Sequence, residues 1–192
     1  MRLLLHKRTL ASEGNVLIKG DLSAVGTLKE VVRGVSAIIA AHGSDGYPGK
    51  DGPERVDYGG VAHLLWLLPE DEQPHFIFVS TLYATRPNNP LNQYGRALDF
   101  KRRAEALIRA SGLPYTIVRP GWLTDSPGGQ GVRFEQGDTG EGSVSREDVA
   151  EVLVQALYSD AARGKTFEMF EKSLTAPSSW DEAFRALEPD RV

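Results

Sequence analysis

Cysteine is absent from this 192-residue chain, which removes disulfides, thiolate nucleophiles and every zinc site built on sulfur. Histidine is scarce: His6, His42, His63 and His75 form no H-E-x-x-H motif and no i,i+4 pair, so no metal site is expected. A surplus of positive charge is missing too. The net charge of -4, from 22 Lys+Arg against 26 Asp+Glu, argues against a general binder of nucleic-acid phosphates. No apolar run approaches the ~20 residues of a membrane span. The stretch from Met1 to Arg8 has too short an apolar core for a signal peptide, and no small-residue cleavage site follows it. The expectation left by these absences is a cytoplasmic protein that handles a small molecule, without nucleic acid or membrane as partner. At 41% hydrophobic and 25% charged residues, the chain reads as one domain over residues 1–192. A domain of that size buries roughly 70% of its unfolded surface and needs no staples.

Short apolar runs alternate with helical stretches. Strands are expected at 2–6, 15–19, 35–41, 75–80, 115–119 and 165–170, with a further short one at 132–134. Val35 to Ala41 is apolar without alternation, as in a strand buried on both faces of a parallel sheet. Helical spacing of Val25, Leu28, Val31 and Val32 follows Ser23 and stops at Gly34. Further helices are expected over 54–68, 99–111 and 178–187. Ser145-Arg146-Glu147-Asp148 forms a capping box for another helix through Tyr158. Strands alternating with helices specify an α/β fold with a doubly wound, mostly parallel sheet.

The glycine-rich stretches fail as phosphate loops. A P-loop ending at Lys50 needs Gly at position 44 and Ser or Thr at 51, where Ser and Asp stand. Gly128-Gly129-Gln130-Gly131 neither follows a strand nor opens a helix, and no G-x-S-x-G elbow occurs. The strand ends are more informative, because open α/β sheets bind ligands outside the carboxyl ends of their strands. Those ends read His6-Lys7-Arg8, Gly20-Asp21-Leu22, Ala41-His42-Gly43, Val79-Ser80-Thr81 and Arg119-Pro120-Gly121-Trp122-Leu123. Ser80 places a hydroxyl at the crevice.

Gly20-Asp21-Leu22, PERVDYGG (Pro53 to Gly60), FVSTL (Phe78 to Leu82), KRRAEALIRASGLPYTIVRPGWLTD (Lys101 to Asp125) and GSVSREDVAEVLVQAL (Gly142 to Leu157) resemble the atypical short-chain dehydrogenase/reductases, and within them the NmrA-like, NAD(P)H-binding branch. The resemblance runs from about residue 2 to 187 and is most specific over Lys101 to Asp125. It implies a Rossmann-like fold and a nicotinamide dinucleotide. Lys7 and Arg8 fall where the family reads the adenosine ribose, and basic residues there suit the 2′-phosphate of NADP over NAD. The resemblance sets Asp21 and Leu22 against the adenine, and His42 and Gly43 where the cofactor passes close to the backbone. Ser80 matches the active-site serine or threonine and would polarise a carbonyl. Lys101 matches the lysine that holds the nicotinamide ribose, and Pro120, Gly121, Trp122 and Leu123 form the wall beside the nicotinamide.

Two departures qualify the resemblance. The wider superfamily has a tyrosine four residues before the lysine, where Ala97 stands here; Tyr94, seven before, shares the face of Lys101 only if the helix extends back through Gly95. The family also begins with a strand, a G-x-x-G-x-x-G loop and a helix, whereas Met1 to Leu5 aligns with its second strand. Roughly the first 25–30 residues of the fold, which cradle the pyrophosphate, are therefore expected to be absent, through an upstream start codon or as a true variant. The strands at 2–6 and 75–80 are then expected to flank the vacant position. Three readings stand: an NADPH-dependent reductase of a small carbonyl or quinone-like substrate, a non-catalytic dinucleotide-sensing protein, and a truncated remnant without cofactor. Either of the first two is compatible with an oligomer.

Overall fold

Apolar runs without polar alternation call for cover on both faces, and in the computed structural model the runs at 75–79 and 115–120 receive it. Val35 to Ala41, expected to be buried on both faces, instead supplies an edge strand with Ile39 exposed. The structure describes residues 1–5, 14–93, 95–172, 177 and 179–191. The central sheet has five strands in the order β3 (Ala37–Ala40), β4 (His75–Val79), β5 (Tyr115–Pro120), β9 (Lys165–Glu171) and β7 (Val132–Glu135). The first four run parallel, and β7 pairs antiparallel with β9. Phe76 and Phe78 of β4 and Tyr115 and Ile117 of β5 enter one core cluster, with Val61, Leu64, Ala104 and Ile108. Their neighbours Ile77 and Val118 enter the other, with Phe167, Met169, Val152 and Phe184. The side-chain period of two thus divides the same strands between two cores.

The first core is closed by α1 (Lys29–Val32), α2 (Gly60–Leu67) and α3 (Ala97–Ala110), the second by α4 (Arg146–Tyr158) and α5 (Trp180–Arg185). This is the doubly wound, mostly parallel α/β sheet expected, Rossmann-like in plan. A wide turn of helix over Glu54–Gly59 runs into α2, so the helical region matches the expected span closely. At α4 Ser145 caps the helix: its hydroxyl accepts from the Asp148 amide at 3.0 Å and donates to the Asp148 carboxylate at 2.8 Å. That side-chain bond stands in place of the reciprocal backbone bond of a full capping box. The expected helix after Ser23 is reduced to one short turn at Val25–Thr27 followed by α1.

Two short strands were not expected, β6 (Trp122–Thr124) and β8 (Ser143–Ser145), which pair parallel beyond the end of β5. β1 (Arg2–Leu5) and β2 (Val16–Lys19) form a parallel ladder of their own. Among the described residues no strand hydrogen-bonds this ladder to the five-stranded sheet. The expectation that β4 flanks a vacant position is corrected. β4 is interior, bonded to both β3 and β5, and the edge strand on that side is β3.

His75 shows how a buried polar side chain is accommodated at the start of β4. Its Nε2 lies 2.9 Å from the Thr116 hydroxyl, which donates to the Ala162 carbonyl, so Nε2 carries the proton and Nδ1 is bare. Burial, with a smaller push from Arg163, lowers the His75 pKa from 6.5 to about 4. The folded value lies below the unfolded one, so stability is full above pH 6.5 and is lost as pH falls from there toward about 4. We expect a loss of about 1–2 kcal/mol from this group across that window, after allowance for partial solvation. Glu168, whose pKa burial raises, titrates in the opposite sense, so the clean comparison is with His75→Gln. Urea midpoints measured across the window should fall less steeply in that variant than in the wild type.

Candidate active site

The carboxyl ends of β2, β3, β4 and β5 carry the polar groups that the sequence places there. After β2, Asp21 accepts from the amide and hydroxyl of Ser23 at 2.8 and 2.7 Å, closing a tight Asx turn. Leu22 packs on the first core, and its carbonyl lies 2.7 Å from His63 Nδ1. A Cβ added to Gly60 at the start of α2 would stand 3.2 Å from the Leu22 Cβ and 3.4 Å from His42 Nε2. His42 Nε2 is buried and has no hydrogen-bond partner among the described residues. Burial first, then the Lys101 ammonium, lower the His42 pKa to about 4, so the ring is neutral near neutrality. Space is open beside Gly43, where an added Cβ would meet nothing within 4 Å.

Lys101 lies on the first turns of α3 and is buried. Its ammonium donates to the carbonyls of His42 and Val79, each at 3.0 Å, and lies 3.2 Å from Asp57 Oδ1. Those contacts engage all three of its donors. Burial pulls the Lys101 pKa below the usual lysine range, and Asp57 opposes that shift. Asp57 in turn accepts from the Ser44 hydroxyl at 2.5 Å and from the Ser44 amide at 3.3 Å. One buried ion pair therefore ties the ends of β3 and β4 to the loop after β3 and to the helix before α2.

Beyond β4 and β5 lies a pocket of about 280 Å³ between Ser80-Thr81-Leu82, Leu91 and Pro120 to Leu123. Gly121 makes the wall possible: an added Cβ would stand 2.3 Å from the Gly142 carbonyl oxygen, so only glycine lets β5 pass the strand that pairs with β6. Trp122 stands half exposed at the rim, edge-on to Tyr83. A larger hollow of about 360 Å³ lies between Gly128 to Gly131, Trp180 and the first turn of α4, away from these residues.

Behind the pocket wall the charges are paired in a chain. The Ser80 hydroxyl donates to Glu105 Oε1 at 2.6 Å. The Arg119 guanidinium donates to both oxygens of Glu105, at 2.9 and 2.7 Å, and to Glu168 at 3.1 Å. Glu168 accepts from the Asp138 amide at 3.0 Å, and the Asp138 carboxylate receives the amides of Tyr83 and Thr85. Arg109 adds a second cation to Glu105 at 3.1 Å. Burial alone would lower the Arg119 pKa, but the two carboxylates outweigh it and hold the group charged.

The structure thus gathers Leu22, His42 and Lys101 in one cluster and Ser80, Pro120, Gly121, Trp122 and Leu123 round one pocket, joined through the Lys101 contact to Val79. Lys7, Arg8 and Tyr94 lie outside the described residues. α3 begins at Ala97, after Arg96 with φ +55°, so the helix does not extend back through Gly95. Sequence reasoning missed Asp57, Glu105, Arg119 and Glu168. The signals were present: Glu105 is one helical turn from Lys101, and a charge within the apolar run Tyr115 to Pro120 demands a buried partner.

The NAD(P)H-binding family profile matches residues 5–160. The chain belongs to the NAD(P)H-binding family. It is 31% identical over 190 residues to an uncharacterized chloroplastic protein of Arabidopsis thaliana, covering 86% of this chain and 58% of that one. It is 33% identical over 127 residues to the sanguinarine reductase of Eschscholzia californica, covering 62% of this chain and 46% of that enzyme. The chain therefore spans less than two thirds of the length of these relatives. An oxidoreductase from Lactococcus lactis has the same fold, with a TM-score of 0.76 at 22% identity over 96% of this chain and 84% of that one.

The site's chemistry fits the ring end of a dinucleotide of this family. The pocket has a mixed lining, apolar at Leu91, Trp122 and Leu123 and polar at Ser80, with room for a six-membered ring and its carboxamide. Its back wall depends on Arg119. Removing that cation leaves Glu105 and Glu168 buried without their shared partner, at a cost of about 3–5 kcal/mol. We expect Arg119→Met to lower the urea midpoint accordingly, whereas Arg146→Met, which breaks an exposed pair with Asp125, should cost less than about 1 kcal/mol.

Proposed function

We propose that the chain is an NADPH-dependent reductase of a small carbonyl or quinone-like substrate. The observation that carries the reading is the pocket at the carboxyl ends of β4 and β5, with Ser80 on one wall and Pro120 to Leu123 on the other. Such crevices are where sheets of this plan take their ligands. A bound nicotinamide would supply a hydride there. The chain's own part is to seat the ring against Pro120 and Gly121, keep water away with Leu91, Trp122 and Leu123, and meet the reacting polar group with Ser80. Lys101 supports the floor of the site through the His42 and Val79 carbonyls; to hold a ribose it must give up one of those contacts. At the other end, Asp21 and Leu22 lie at the end of β2, where the family meets the adenine. The preference for NADP rests on the sequence pair Lys7-Arg8. The sanguinarine reductase among the relatives supports reduction as the reaction class.

One observation favours a second reading, dinucleotide binding without chemistry. Ala97 occupies the position of the superfamily's proton-donating tyrosine, and losing a general acid costs roughly 10²–10⁴-fold in rate. The two readings part on turnover. NADPH should bind more tightly than NADH in a fluorescence titration, and Arg8→Ala should remove most of the difference. A charge-assisted contact to the 2′-phosphate is worth about tenfold to a hundredfold in affinity. Equal affinities, unmoved by the substitution, would take Arg8 out of the site. Oxidation of NADPH with a panel of aldehydes and quinones decides the rest: turnover supports the reductase, and binding without turnover supports the sensor.

A further inference from the structure

The direction of one hydrogen bond fixes what the pocket can recognise. Glu105 is wholly buried, and each of its oxygens is held by a guanidinium: Oε1 by Arg119, Oε2 by Arg119 and Arg109. Both of its oxygens are thus taken up as acceptors. The Ser80 hydroxyl meets Oε1 at 2.6 Å, the length of a charge-assisted O–H···O⁻ bond, so its single hydrogen is spent on Glu105. A hydroxyl has one hydrogen and two lone pairs, and Ser80 lines the pocket, so what its hydroxyl has left to offer a ligand there is lone pairs.

We propose that Ser80 acts as a hydrogen-bond acceptor that selects ligands bearing an O–H or N–H group, with Glu105 as the positioning residue that fixes this polarity. The inference deepens the reductase reading and rests on it for the pocket's role. It alters one expectation within that reading, since a serine whose hydrogen is committed does not polarise a carbonyl. A hydroxyl-bearing form of the substrate or product, or a carboxamide N–H, is the group that Ser80 meets. Burial protects the arrangement. Water has no access to Glu105, and Ser80 itself is 5% exposed, so solvent supplies no competing acceptor for its hydrogen.

The test uses three small aromatics of similar size: phenol, which donates; anisole, which does not; and benzaldehyde, which only accepts. Binding is followed by the amide shifts of Ser80, Thr81 and Gly121 in ¹⁵N-labelled protein. Phenol should bind about threefold to tenfold more tightly than either of the others, the worth of one net hydrogen bond. Ser80→Ala should level the three. In Glu105→Gln the amide can itself donate to Ser80 and release the serine hydrogen, so benzaldehyde should gain on phenol. A purely structural role for Glu105 would weaken all three alike. If Glu105→Gln does not fold, wild type against Ser80→Ala decides the matter. Equal binding of phenol and benzaldehyde in the wild type, a preference that survives Ser80→Ala, or no shift at these amides with phenol overturns the proposal. NADPH titrated into the same samples keeps the two claims apart. Phenol selection without NADPH binding refutes the reductase reading alone, and NADPH binding without phenol selection refutes the role given to Ser80.

Discussion

The guanidinium of Arg119 is the constraint on which the rest depends. It projects from β5, buried along all six residues, into the protein interior, and a lone charge there would cost several kcal/mol. Its neighbours answer with Glu105 from α3 and Glu168 from β9, so one side chain fixes a helix and two strands relative to one another. A buried ion pair adds little net stability over well-packed apolar residues, but it accepts far fewer arrangements. The geometry then spreads outward: through Glu105 to Ser80 at the end of β4, and through Glu168 to Asp138 and the backbone of residues 83 to 85. The pocket's polar wall and one of its flanking loops are thus set by the same charge.

A second buried pair, Lys101 with Asp57, does the equivalent work one turn earlier on the same face of α3. Lys101 and Glu105 are one helical turn apart, so α3 presents a cation toward the end of β3 and an anion toward the end of β4. Neither charge meets solvent, and each orients something smaller: two strand-end carbonyls for Lys101, one hydroxyl for Glu105. A site built in this way is stiff before any ligand arrives, which reduces the ordering cost of binding.

How much of this the sequence made legible follows the range of the interaction involved. β4 and β5 were readable because continuous apolar runs have one stable placement, and α4 because Ser145 and Asp148 cap it locally. The strand ends carrying Leu22, His42, Ser80 and Pro120 to Leu123 were readable as positions because each follows an apolar run. What escaped depends on contacts between distant segments. β6 and β8 are three-residue strands whose pairing exists only because Gly121 lets two backbones pass closely. Gly95 likewise lies where an added Cβ would stand 2.2 Å from the Gly46 carbonyl oxygen, a contact across 49 positions that no local pattern announces. Arg119 was read only as part of a strand end, and its partners, 14 and 49 residues away, lie beyond any local pattern.

The two ends of the candidate dinucleotide site also differ in how they are held. Ser80 and Pro120 continue strands that are hydrogen-bonded on both sides within the sheet. Asp21 and Leu22 follow β2, in a ladder that joins the main body through packing of Leu4 and Leu22 on the first core and not, among the described residues, through strand hydrogen bonds. Val16 and Leu17 of that ladder are exposed, as is Ile39 of the edge strand β3. Packing by a few half-buried side chains resists local opening less than a paired strand does. In the proposed site the ring end therefore rests on strands paired on both sides, and the adenosine end on a ladder held by fewer contacts. A ligand spanning both would gain specificity for the reacting group from the first. Its chief ordering cost would fall on the second, where the ladder must be fixed against the sheet.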